Sequence, residues 1–317
     1  MSFIFSQQKY TICGTIKDKN TGETMIGVAV YTKEFSDIGT TGNDYGFYSL
    51  TLPQGKYQII YSFMGYKSDT ATINLNSNIK LERLMNENSL QLNEVIISSA
   101  SNDDKIKKTD IGVEKMDVKT MDKIPVILGE RDILKTIQLM PGVKSAGEGS
   151  SGFFVRGRSA DQNLILLDEA PVYNASHLLG FFSTFNSDAL KDVSIIKGNS
   201  PAQYGGRLSS VLDVKMKEGN NQKYNVTGGI GLISSRLSVE GPIQKDKSSF
   251  IVSGRITYAD LFLKATKDYK NIKLYFYDLN AKANYSINDK NRIFFSGYFG
   301  KDILGLSDNF GINWGNT

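Results

Sequence analysis

Two kinds of alternation divide this chain. Up to about residue 84 the apolar positions come in short runs, Tyr10–Lys17, Gly27–Thr32, Gly46–Leu52, Lys56–Met64 and Asp69–Leu75. Turn-forming clusters separate them at 18–22, 41–44 and 53–55, rich in Gly, Asn, Asp and Pro. Short strands at that spacing predict a small β-sandwich over residues 9–85. After Gly219 the strands lengthen. Tyr275, Tyr277, Leu279, Ala281, Ala283, Tyr285 and Ile287 share one face, and Phe276, Asp278, Asn280, Lys282, Asn284 and Ser286 share the other. A turn at 288–291 leads into Ile293, Phe295, Gly297 and Phe299, alternating with Arg292, Ser296 and Tyr298. An earlier pair runs from Tyr224 to Glu240, turns at 242–247, and returns through Phe250, Val252, Gly254 and Ile256, with Ser253, Arg255 and Thr257 opposite. Long strands joined by short turns, apolar on one face and polar on the other, are the pattern of a transmembrane β-barrel. About four such strands are expected over residues 219–317. A soluble β-meander also alternates, but with shorter strands.

Between these regions the pattern is mixed. Phe153–Val155 reads as a short strand ended by Gly157, and Leu164–Leu167 is an apolar run too short for a helix. Residues 168–171 form a turn, Ser187 is a candidate N-cap before Asp188, and Val193–Lys197 is another strand. Turn chemistry recurs at 198–201 and 205–206. From Val211 to Lys217, Leu212, Val214 and Met216 face one way and Asp213, Lys215 and Lys217 the other, which is a half-buried strand. Upstream, Ile133, Leu134, Ile137 and Met140 fall on one face of a helix predicted over Val126–Met140 and stopped by Pro141-Gly142. That face is expected to pack on the sheet. Residues 119–218 are therefore a small α+β domain. Residues 86–118 are a polar linker interrupted by one apolar island, Leu90–Ser98. The island is either the last strand of the sandwich or an extended segment that adds a strand to a partner's sheet edge.

Composition narrows the chemistry. The net charge of +4 is mild and its charges are interspersed, so no basic patch points to nucleic acid. A single cysteine, Cys13, can form no intrachain disulfide and is expected to be a small buried side chain of a strand. A single histidine, His177, cannot supply a two-histidine zinc site, and its neighbour Ser176 is too close in sequence to act with it as a nucleophile–base pair. Residues 147–152 match G-x-G-x-x-G, but a strand follows where a dinucleotide site needs a helix. There is no P-loop and no cysteine metal cluster in the sequence, so neither an enzyme nor a cofactor is expected. Nor does any apolar run approach the roughly 18 residues of a spanning helix. Residues 1–7 resemble the tail of a signal peptide, so the true start is expected upstream.

The middle of the chain carries a resemblance. FFVRGRSADQNLILLDEAPVYN followed by SDALKDVSIIKGNSPAQYGGRLSSVLDVKMKEG resembles the plug domain of TonB-dependent outer-membrane receptors. The ordered marks are Arg156-Gly157, the strand ending in Asp168, Lys197-Gly198 with Pro201, Tyr204-Gly205-Gly206 and the Val211–Met216 strand, with Leu139–Val143 typical of the plug's opening. GTIKDKNTGETMIGVAVY and GKYQIIYSFMGYKSD are similar to the carboxypeptidase regulatory-like domain, a transthyretin-like sandwich that commonly precedes receptors of the Bacteroidota type. The resemblance implies a mainly β chain with a small α+β plug: sandwich, linker, plug, and the first strands of an incomplete transmembrane barrel.

It further implies a TonB-coupling segment at Leu92, Asn93, Glu94, Val95, Ile96, Ile97 and Ser98. Plug arginines in this family bond to carboxylates of the barrel wall, which marks Arg156, Arg158 and Arg207; solvent or the plug itself could equally satisfy them. Tyr173, Asn174 and His177 fall in a loop that could face ligand. The implied partners are TonB with its inner-membrane energising complex, outer-membrane lipid, and a surface-exposed substrate-binding lipoprotein. The implied location is the outer membrane, with sandwich and plug on the periplasmic side, and the implied activity is energised uptake. A membrane barrel must close, and a plugged transporter has about 22 strands, so the chain is expected to be the N-terminal portion of a longer receptor. The alternative is a secreted or surface-attached β-rich module that binds glycan or protein.

Overall fold

In a computed structural model, residues 8–35, 38–88, 112–118, 131–147, 150–264, 269, 271–288, 290–307 and 310–317 are described. The chain divides into two compact units, Met1–Thr109 and Asp110–Thr317.

The first unit is a sandwich of two sheets. Its strands are β1 (Lys9–Asp18), β2 (Ala29–Thr32), β3 (Gly39–Thr41), β4 (Phe47–Pro53), β5 (Gly55–Ser62), β6 (Asp69–Leu75), β7 (Ile79–Lys80) and β8 (Arg83–Met85). One sheet runs β4-β1-β7, with β8 also on β1, and the other runs β3-β2-β5-β6. Period-two burial closes the space between them: Ile12, Ile16, Leu50 and Leu52 meet Val30, Ile59, Tyr61 and Leu75 in one dry cluster. The Tyr48 and Tyr61 hydroxyls lie 2.8 Å apart, and Tyr48 also donates to the Leu81 carbonyl at 2.7 Å. Burial, reinforced by that neighbour, pushes the Tyr48 phenol well above its ordinary value. Gly14 is required, because a Cβ there would sit 2.1 Å from the Leu81 carbonyl oxygen. The five expected strands are present. β3, β7 and β8 escape sequence reading because two or three residues cannot display a period. Cys13 is only half-buried, since it points off the outer face of β1, opposite Ile12.

The second unit begins with β9 (Val113–Asp117), α1 (Ile133–Ile137), β10 (Val143–Ser145), β11 (Phe153–Val155), β12 (Leu164–Leu167), β13 (Ala170–Pro171), β14 (Ser176–His177), β15 (Phe182–Ser183), β16 (Leu190–Ile196) and β17 (Val211–Met216). A five-stranded sheet, β13-β12-β17-β16-β9, carries the core. Ile133, Leu134 and Ile137 of α1 pack on it with Phe153, Phe185, Val193, Leu212 and Val214. The helix face is as expected, but among the described residues the helix is shorter, starting after its cap Asp132. The expected cap at Ser187 is corrected: Ser187–Ala189 is a 3-10 turn capped by Asn186, whose side chain accepts from the Asp188 amide at 3.1 Å. Asn can take that role one residue earlier because its backbone there is extended.

The remaining strands are β18 (Asn225–Ile230), β19 (Ser234–Gln244), β20 (Ser248–Thr257), β21 (Lys273–Asn288), β22 (Asn291–Ser307) and β23 (Phe310–Asn316), with the short helix α2 (Asp260–Lys264) between β20 and β21. They form one antiparallel sheet in sequence order, open at β18 and β23. The expected four strands are thus six. The stretch from Tyr224 to Glu240 breaks into a hairpin at 231–233, where the Tyr258 hydroxyl reaches the Gly231 and Ser234 carbonyls at 2.6 and 2.9 Å. β23 was not among the expected strands, because the glycines between Phe310, Ile312 and Trp314 weaken their alternation. The turn 245–247 lies at one end of the sheet, with the end of β21 and the start of β22; the turn 231–233 lies at the other, with the end of β20 and the start of β21.

The covered face of this sheet is polar and its open face is apolar. Ser253, Arg255, Asp278, Asn280, Lys282, Asn284 and Asp302 are buried against the central domain. Leu237, Ile256, Leu279, Ile293, Phe295 and Phe299 are exposed on the other side. The assignment of Tyr277, Leu279 and Tyr285 to one face and Asp278, Asn280 and Lys282 to the other holds residue by residue along β21. Among the described residues no helix is long and apolar enough to cross a membrane.

Candidate functional site

The seam between the central domain and the six-stranded wall holds the chain's densest buried chemistry. Its centre is the hairpin of β14 and β15, in which Ser176 pairs with Ser183 and His177 with Phe182. The hairpin tip is bent through three successive left-handed residues, Leu178, Leu179 and Gly180, at φ of 47°, 60° and 111°. Left-handed backbone is unfavourable for leucine by about 1 kcal/mol per residue or more, so the surroundings must hold it. Two contacts do so. The Leu178 amide donates to Asp302 Oδ1 at 2.8 Å, and the Leu178 side chain is buried with Phe182, Ile233 and Phe276.

His177 is fully buried. Its Nδ1 lies 2.8 Å from Asp302 Oδ2, and its Nε2 lies 2.9 Å from the Tyr298 hydroxyl and 3.4 Å from Asp278 Oδ2. Its ring stacks on Phe276 at 4.0 Å and 7°. Gly300 makes room: a Cβ there would approach the imidazole to 2.9 Å. Arg255 donates through Nε to Asp278 Oδ2 at 2.9 Å and through Nη2 to the Ser183 carbonyl at 2.8 Å. Asp278 Oδ1 is buried without a hydrogen-bond partner among the described residues. Burial is the largest single influence on His177 and opposes its protonation, but the Asp278 and Asp302 carboxylates together outweigh it and raise its pKa above the ordinary imidazole value. Two carboxylates, one guanidinium and a protonated imidazole sum to zero, which is how a buried group of charges becomes tolerable.

The seam continues away from the hairpin. Asn186 Nδ2 donates to Ser253 Oγ at 2.9 Å, Arg236 pairs with Asp188 at 3.0 Å, and Lys282 pairs with Asp168 at 2.8 Å. Where the chain passes from β17 into the wall, the Glu218 carbonyl accepts from Ser249 and Asn284, both at 2.8 Å, and its carboxylate lies 3.3 Å from Lys191 and 2.8 Å from Arg292. Gly219 follows at φ 84°, and a Cβ there would lie 2.3 Å from the Phe250 carbonyl oxygen. The joint is rigid and made for glycine.

The expected site residues distribute unevenly. Arg156, Arg158 and Arg207 are exposed, and the Arg158 guanidinium bonds to the Leu208 carbonyl within the central domain. Among the described residues two ion pairs across the seam carry the cation on the wall, Arg236 with Asp188 and Lys282 with Asp168, while Arg255 pairs with Asp278 within the wall and reaches the plug through the Ser183 carbonyl. Tyr173 is exposed, Asn174 is half-buried and accepts from the Ser176 amide, and His177 is turned inward onto the wall. Leu92, Asn93, Glu94, Val95, Ile96, Ile97 and Ser98 lie outside the described residues. The seam residues Arg255, Asp278 and Asp302 were missed, although their position on the inward parity of β20, β21 and β22 was a readable signal.

Comparison with known proteins bears on this architecture. A family model described as CarboxypepD_reg-like domain matches residues 12–97, and one described as TonB-dependent Receptor Plug Domain matches residues 107–210. This chain carries the plug domain of a TonB-dependent receptor. The plug is the five-stranded domain of the second unit, and the sandwich is the regulatory-like domain, whose match runs on through residues 92–97. A search of the curated proteins finds no match. Among solved structures, the siderophore receptor PirA from Acinetobacter baumannii aligns at 20% identity and a TM-score of 0.46 over 62% of this chain and 32% of that one. The ferric enterobactin receptor PfeA from Pseudomonas aeruginosa aligns at 19% and 0.45 over 63% and 34%. The outer membrane transporter YddB from Escherichia coli aligns at 13% and 0.45 over 61% and 33%. The chain spans about a third of the length of these structures.

Proposed function

We propose that this chain works in energised uptake across the outer membrane: the six-stranded sheet is part of a lipid-facing barrel wall, the plug occludes its lumen, and Leu92–Ser98 couples the plug to TonB and its inner-membrane complex. The observation that carries the reading is the inverted burial of the wall. A sheet that buries Asp278, Asn280, Lys282 and Asn284 while exposing Leu279, Ile293 and Phe295 has its polar face toward protein and its apolar face toward a non-aqueous solvent. A soluble binding module would need the opposite. In this reading the end of the sheet where β20 ends and β21 begins faces outside, the end with the turn 245–247 faces the periplasm, and sandwich and plug enter from the periplasmic side. Ligand binds from outside, and no bond in it is made or broken. An exposed lipoprotein partner would dock on the same outer side.

Two measurements test this. Fractionation of the source cells with an antibody to the plug should place the chain in the outer membrane; a soluble product refutes the barrel wall. A peptide spanning Leu90–Ser98 should bind the purified periplasmic domain of TonB; absence of binding refutes the coupling role and leaves the island as a sandwich strand.

A further inference from the structure

The arrangement around His177 goes beyond occlusion. We propose that the Ser176–Ser183 hairpin is a proton-controlled latch, clamping the plug to the wall while His177 carries its proton and loosening against the wall's two buried carboxylates when the outside medium turns alkaline. It rests on the uptake reading only for which end is outside. Phe276 lies near the start of β21 and Asp302 near the end of β22, so the hairpin sits toward the end of the sheet that the proposed reading turns outside.

The argument is one of hydrogen-bond supply and charge. A protonated imidazole donates from both nitrogens, to Asp302 through Nδ1 and toward Tyr298 and Asp278 through Nε2. A neutral imidazole keeps a single N–H: it can still donate from Nδ1 to Asp302 and accept at Nε2 from the Tyr298 hydroxyl, but it no longer donates toward Asp278, and its bond to Asp302 is no longer charge-assisted. The charged and titratable groups facing it are Arg255 from β20, Asp278 from β21, and Tyr298 and Asp302 from β22. From the plug, Asp132 holds the Ser183 amide at 2.7 Å and Lys135 lies over the Phe182 ring. Loss of the proton therefore leaves two carboxylates against one guanidinium in a seam without solvent, and Asp278 Oδ1 has no bond to fall back on among the described residues. The turn, whose leucines are in left-handed backbone, then loses charge-assisted support and rests on the Leu178 amide and the buried Leu178 side chain. The sign follows from the raised pKa of His177: its contribution to clamping is complete below the ordinary imidazole range and is lost as pH rises through the raised value.

The chain's single histidine makes the test selective. The full chain, extracted in detergent and labelled with 13C-histidine, gives one imidazole signal to titrate. Its midpoint should lie above about 6.5, and Asp302→Asn should lower it. Hydrogen exchange read by mass spectrometry, corrected for the intrinsic pH dependence, should show the 176–183 peptide losing protection by about tenfold or more across that midpoint while β16 and β17 hold theirs. His177→Gln should abolish the step. A midpoint at or below the ordinary value overturns the latch, as does a hairpin whose protection follows β16 and β17 throughout. Should His177→Gln fail to fold, Asp302→Asn decides: titration and exchange step must move together, and movement of only one overturns the proposal. Neither readout involves TonB or uptake, so the latch can fail while the transport reading stands.

Discussion

In the sandwich, β1 turns Ile12 and Ile16 inward and leaves Thr11, Cys13 and Thr15 nearer the surface; in the wall, β21 turns Asp278, Asn280 and Lys282 inward and leaves Leu279 exposed. Both strands obey the same two-residue period. What differs is the medium beyond each sheet. The sandwich holds itself together by removing apolar surface from water, worth about 25 cal/mol per Å². The wall buries polar groups and must satisfy them one at a time, through Asn186–Ser253, Asp168–Lys282 and the His177 group. Periodicity thus tells which residues share a face, and the chemistry of the covered face tells what solvent the protein expects.

The sharpest way to break this contrast is at Arg255. Arg255→Met leaves Asp278 as an uncompensated buried charge and should destabilise plug–wall docking by about 3–5 kcal/mol, read as a shift in the urea midpoint of the fluorescence of Trp314, the only tryptophan. Adding Asp278→Leu should recover most of that loss. In the sandwich no partner exists to rescue: Ile59→Ala opens a cavity in the dry cluster and should cost about 2–5 kcal/mol, measured by near-UV tyrosine circular dichroism. On the outward face, Leu279→Arg should disfavour bilayer assembly by about 2–4 kcal/mol, seen as loss of the heat-modifiable folded band in vesicles, with the sandwich unaffected. The smallest effect is expected at Asn186→Ala, where the cap of the 3-10 turn and the bond to Ser253 are lost together, at about 0.5–2 kcal/mol. If Leu279→Arg assembles normally, the outward face does not meet lipid and the comparison collapses.

Most of this fold could be read from residue order. Tyr275 to Ile287 alternate over a full β21, and that run fixed both strand and facing. The sandwich strands that bury an alternating pair were legible; β3, β7 and β8 were not, because they are held by pairing rather than by pattern. The hairpin break at 231–233 was hidden because the glycines that permit it also occur within β18. The sequence leaves open, for Arg156, Arg158 and Arg207, a bond to the wall or to the plug and solvent, and Arg158 bonds within the plug. Arg156 and Arg158 sit at an exposed turn where Arg156 has φ of 50°, and nothing local distinguishes such an arginine from one aimed at the wall. His177 was expected in a plug loop that could face ligand; it lies in β14 and is turned onto the wall, where its burial depends on Asp278 and Asp302, more than a hundred residues away, which the register of β21 on β22 sets on neighbouring positions of one face.

The polar seam has one further consequence. Several contacts that dock the plug beyond the His177 group, such as Asn186 with Ser253 and Lys282 with Asp168, join partners that water can also satisfy. A plug shifted along this wall leaves behind two wettable surfaces, which hydrate as they part and do not stick to each other or to a neighbour. In the proposed reading this lets the plug shift along the wall as a unit, with its own apolar core, Ile133 to Met216, left packed.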